Sequence, residues 1–142
     1  MIHAIMSLNY LAVLGTAVAG FVLGCLWLHG PLFGQPWMTE MKFTKESMEA
    51  AMAKKGMAKF FVTGFAYALL GTFGLAVLLK AHGSENWMKG AEFGLFVGGF
   101  VVVMRMLHGS MWEQHSLKLQ AINVGHELAL FTLQGAILGA WH

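Results

Sequence analysis

The chain has 142 residues, of which 57% are hydrophobic and only 11% charged; its formal net charge is +2 and its mean hydropathy +0.62. A soluble domain carries roughly a quarter charged residues, so this composition excludes an ordinary soluble domain, while 18 Gly, 2 Pro and a single Cys exclude a disordered tail and a disulfide scaffold. The 9 Lys and Arg are spread too thinly for a nucleic-acid face, which leaves an integral membrane protein.

A bilayer crossing takes about 20 apolar residues. Four stretches are read as spans, at about 8–28, 60–79, 88–107 and 119–140. The first has His3 rather than Lys or Arg at its front and is too long for a cleavable leader, so it stays as a helix. Cys25 lies within that apolar run and reads as a small buried hydrophobe. The connection 31–58 is the only sizeable extramembrane piece. Within it Met41, Met48 and Met52 recur at helical spacing, which predicts a short amphipathic helix on the membrane face. Trp27, Trp37, Trp87, Trp112 and Trp141 fall at or beyond the ends of the spans, as an aromatic belt does. Lys42, Lys45, Lys54, Lys55, Lys59 and Lys118 lie on one side, and Lys80 and Lys89 on the other. The positive-inside rule therefore puts the 31–58 loop in the cytoplasm and both termini outside.

Shifted by 79 residues, the chain matches itself: Gly15, Gly20, Phe21, Val22, Leu28, His29, Gly30 and Gln35 fall on Gly94, Gly99, Phe100, Val101, Leu107, His108, Gly109 and Gln114. The fold expected is thus an all-α membrane bundle of four helices, built from two parallel two-helix repeats in a single domain. Gly20 and Gly24, Gly94 and Gly98, and Gly135 and Gly139 form small faces at four-residue spacing, suited to close helix contact. Such faces serve a tight bundle, a homo-oligomer or docking onto other membrane subunits.

Polar groups inside a span are default candidates for function. Asn123, Glu127 and Gln134 fall on one stripe of the fourth span with His126 beside it, and Arg105 is placed to reach Glu127. The stripe reads either as a path for an ion or polar ligand or as a device fixing helix register. His29 and His108 occupy equivalent repeat positions and are candidate haem or metal ligands. Met104, Met106, His108, Met111 and His115 add soft character suited to copper. Histidines at helix ends also cap carbonyls and snorkel. The sequence assigns no cofactor and contains no nucleotide-binding or nucleophile-elbow motif.

The segments Asn9-Tyr10-Leu11-Ala12-Val13-Leu14, Gly30-Pro31-Leu32-Phe33-Gly34 and Pro36-Trp37-Met38, with Trp27 between them, resemble the bacterial domain of unknown function 1761 family. The ending, from Ile122-Asn123-Val124-Gly125-His126-Glu127 to Gly135 through Trp141, is similar to that family's last span. The chain departs from the pattern at His29, where an aromatic is more common, and near Gln114-His115, where a Gly-Arg-Pro-like turn is expected. The resemblance implies a small four-helix protein of a bacterial inner membrane and transfers no catalytic residue. The leading expectation is a non-enzymatic accessory or scaffold subunit, in contact with lipid and with other copies or other membrane proteins. A small transporter or channel is the alternative, and a haem or copper carrier using His29 and His108 the second.

Overall fold

The computed structural model describes residues 2–141, without the Lys55 side chain, and is all-helical, with no strand among the described residues. The helices are α1 (Ile2–Met6), α2 (Tyr10–Leu28), α3 (Gly34–Glu40), α4 (Lys45–Lys55), α5 (Met57–His82), α6 (Trp87–Val97), α7 (Met104–Trp112) and α8 (Leu117–Ala140). A π-helical segment, Gly98–Val103, joins α6 to α7 in one continuous rod. Helix starts follow local chemistry. Asn9, Asn86 and Ser116 each accept a hydrogen bond from the backbone N–H three residues on, satisfying one of the free donors of a first turn. Thr44 and Ser47 cap each other reciprocally at the start of α4. Gly83, at φ 78°, closes α5 in the left-handed region that favours glycine.

Among the described residues three helices are long and apolar enough to cross a membrane: Tyr10–Leu28, Met57–His82 and the rod Trp87–Trp112. Helix α8, with 24 residues, is long enough but falls outside that set, because Asn123, His126, Glu127 and Gln134 interrupt its apolar run. Its environment explains the difference from the four apolar spans expected. Helix α8 packs against α2, α5 and α6 together and buries Leu119, Ile122, His126, Gln134, Gly135, Leu138 and Gly139. A helix surrounded by protein does not need to be apolar all round.

The closest approach is between α6 and α8. A Cβ on Gly90 would strike the carbonyl oxygen of Gly135, one on Gly94 that of Phe131, and one on Gly139 that of Asn86. These backbones touch directly, so the small residues are required sterically. Gly98 is pressed on the Phe131 side chain, and Gly20 on Gln134 and Leu130. The glycine faces therefore meet other helices of the same chain and, as such, do not call for a second copy.

Val13, Leu75, Ala76, Leu79 and Leu138 form a core where α2 begins and α5 and α8 end. At the opposite end residues 57–63 of α5 are exposed, and a cavity separates this helix from α2 and α8. A short helix does form in the 31–58 connection, α4, but its apolar residues do not gather on one face: Met48 and Met52 are half-buried while its alanines are exposed. Met41 lies outside it as the C-cap of α3, because the Thr44–Ser47 box starts a new helix after it. Glu40 ties this connection to α8: it accepts a hydrogen bond from the Ser116 hydroxyl, and Lys118 Nζ is 3.8 Å away.

Candidate functional site

Four polar residues of α8 divide between two cavities, and Glu127 lines neither. The first, about 560 Å³, lies between α2, α5 and α8; His126, Gln134, Thr72, Cys25 and His29 line it among Phe21, Phe60, Phe61, Tyr67 and Phe131. It adjoins an outer groove beside Lys54 and Lys59, with which it shares Phe60, Gly64 and Tyr67. Met52 of α4 reaches its wall. The second cavity, about 370 Å³, lies between α7 and the start of α8 and holds Arg105, Asn123, Gln120, Glu113 and His115.

Arg105 is exposed on α7 and makes no ion pair with Glu127, whose Oε1 lies 3.1 Å from Nδ1 of His126. The π-helical segment accounts for this. Counted as an unbroken α-helix, Arg105 lies 20° from Gly98, and so faces α8. A π turn holds about one residue more than an α turn, so everything beyond it is displaced by roughly one position, about 100°. That rotation carries Arg105 outward and brings Val103, 3% exposed, into the core.

Gln134 is 4% exposed and donates from Nε2 to the Thr72 hydroxyl at 2.9 Å, while Thr72 itself donates to the Ala68 carbonyl at 2.8 Å. Because Thr72 keeps that helical partner, Gln134→Leu is expected to lower stability by only about 1 kcal/mol or less, in line with the modest worth of hydrogen bonds between membrane helices. Reversible unfolding in mixed micelles measures it. His126 is packed edge-on to Trp27, ring centres 6.2 Å apart, and its Nε2 is buried without a hydrogen-bond partner. Trp27 donates to the Ile122 carbonyl at 3.1 Å and lies against Gly125, so it fastens the end of α2 to α8. The other belt residues Trp87, Trp112 and Trp141 are exposed, and Trp141 covers Gly15.

His29 caps α2 and leans on Trp37, ring centres 5.6 Å apart. Partial burial lowers its pKa below the ordinary imidazole value, although by surface area the residue is exposed. His108 is exposed and lies within α7 rather than at a helix end, because α7 continues to Trp112 where α2 stops at Leu28. Met104 and Met111 are exposed, and His115 contacts Glu113 at 3.1 Å. Among the described residues no three His, Cys, Asp or Glu side chains converge as metal ligands. The sequence reading missed the cavity itself, whose signal is the run of small residues Gly64, Ala68 and Gly71 along one side of α5.

Among curated proteins and solved structures, none matches the chain significantly. The family described as protein of unknown function (DUF1761) matches residues 11–139, and the chain belongs to that family.

Proposed function

We propose that this is a non-enzymatic membrane protein that holds a small molecule drawn from the bilayer, in the cavity between α2, α5 and α8. On this reading α8 crosses a bacterial inner membrane with the three apolar helices, as a bundle of two parallel repeats with both termini outside. One observation carries the proposal: an aromatic-lined space of about 560 Å³ to which α8 contributes the polar side chains of His126 and Gln134. Ligand sites have this character, mostly apolar with a few convergent polar groups. The split of Arg105 and Asn123 from His126 and Gln134 favours this over a continuous polar path. The glycine faces are used within the chain and so lend the accessory reading no separate support.

Native mass spectrometry of the protein released gently from its own membranes tests the reading. The expected spectrum carries a small lipophilic adduct on the 15.5 kDa chain or a multiple of it. Gly71 lines the cavity and a Cβ there meets nothing within 4 Å, so a side chain can begin there freely, and Gly71→Leu should occupy the space and remove the adduct. Gly74, equally open but outside the cavity lining, is the control, and Gly74→Leu should leave the adduct in place. A bare chain, or an adduct indifferent to Gly71→Leu, would sink the proposal. Additional protein subunits in place of the adduct would restore the accessory reading.

A further inference from the structure

His126 presents an unpaired atom at the cavity. Its Nδ1 faces Glu127 Oε1 at 3.1 Å, so one proton lies between them. The pair has two net-neutral arrangements: neutral acid with neutral imidazole, and carboxylate with imidazolium. Both place a hydrogen on Nε2. Among the described residues that nitrogen is buried without a hydrogen-bond partner, and such groups are uncommon unless something completes them. Its nearest surroundings suggest how. Where a side chain would begin at Gly24, the one atom within 4 Å outside that helix's own turn is Nε2, at 3.4 Å. That distance runs to the place a Cβ would occupy, which Gly24 leaves open, and a ligand oxygen lodged over Gly24 would face Nε2.

We infer that the cavity takes a lipid-soluble carbonyl compound, its oxygen accepting a hydrogen bond from Nε2 of His126 over Gly24. This rests on reading the cavity as a site for a bilayer-borne molecule. Two sources offer the carbonyl: a quinone and the ester of a membrane lipid. The walls favour the quinone. Phe21, Phe60, Phe61, Tyr67 and Phe131 supply ring faces and edges suited to a flat conjugated ring. The adjoining groove past Phe60 and Gly64 leaves room for an alkyl tail. Gly24 lies four residues from the end of α2, about 6 Å at helical rise, so the ring would sit just below the headgroups.

The test uses the full chain in phosphatidylcholine nanodiscs with a decyl-substituted benzoquinone as the probe. Binding is read from quenching of Trp27, whose contribution is the signal lost in Trp27→Phe. Quenching should saturate. Affinity should fall about tenfold in His126→Leu, the most that one lost hydrogen bond usually costs, and less in His126→Gln, which keeps a donor. Gly24→Val and Gly71→Leu should weaken it tenfold or more, and Gly74→Leu should not change it. Absence of saturation, or equal affinity in His126→Leu and wild type, overturns the inference. Discs of dibrominated phosphatidylcholine without quinone separate the sources. Bromine quenching relieved by Gly71→Leu, with no saturable quinone effect, assigns the cavity to a lipid chain; the quinone then falls and the proposed function stands. If neither probe responds to Gly71→Leu, both fall.

Discussion

Replacing Gly94 by Leu is expected to cost about 3 kcal/mol or more and to leave little folded protein in the membrane fraction. The carbonyl of Phe131 and the Cα of Gly135 occupy the space a side chain would need. Neither is the movable end of a side chain, so α6 and α8 must separate along their length. Overpacking of this kind typically costs 1–3 kcal/mol even where side chains can yield, and here the obstruction is backbone. The same substitution at Gly71, which meets nothing within 4 Å, is expected to be neutral or slightly stabilising, because Leu is the better helix former. Unfolding both variants in the same mixed micelles makes the comparison. Equal stability of Gly94→Leu and wild type would mean that the α6–α8 contact is not as close as described.

Trp27→Ala is the other substitution with a large expected effect, about 2–3 kcal/mol. The indole is half-buried, stacks on Phe33 with ring centres 4.9 Å apart, covers Gly125 and donates to the Ile122 carbonyl. Full truncation of a buried Trp costs about 3–5 kcal/mol, and partial exposure lowers that figure. The effect should extend to the cavity, since His126 lies edge-on to the same ring. Trp27→Phe, keeping ring volume while losing the donor, should recover most of the stability. A Trp27→Ala variant as stable as wild type would show that α2 is held to α8 elsewhere.

How much of this was legible beforehand depended on how far each inference reached. Composition and apolar run length read the all-helical character and the three apolar candidates for membrane crossing, because both depend on local sequence. The motifs at the two ends of the chain identified the family. Four-residue glycine spacing located close-packing faces but not their partners: Gly94 meets α8 of the same chain, which no spacing rule can tell from a neighbouring copy. Pairing Arg105 with Glu127 presumed an uninterrupted α-helix, and Gly98–Val103, a run of two glycines, an aromatic and three β-branched residues, gives no sequence sign of its extra residue per turn. Helical spacing sets Asn123, Glu127 and Gln134 within one sector of α8, yet neighbouring helices divide that face among different surroundings. Equivalent positions in the repeat placed His29 and His108 together on paper. Their helices end differently, at Leu28 and Trp112, so their settings differ.

The close fit of α6 to α8 also bears on how the protein enters its membrane. On the four-span reading, α8 carries Lys118 and Glu127 along with Asn123, His126 and Gln134, and a charged residue mid-helix adds about 2.5–3.5 kcal/mol to the cost of insertion. Released alone from the insertion machinery, such a segment would partition poorly into lipid. Its partner, however, is the segment immediately before it, joined by a tight turn through Gln114, at φ 55°, and sharing with it a continuous glycine contact. On that reading the two can leave the translocation channel as a preassembled hairpin, so that α8 never meets lipid on its polar side.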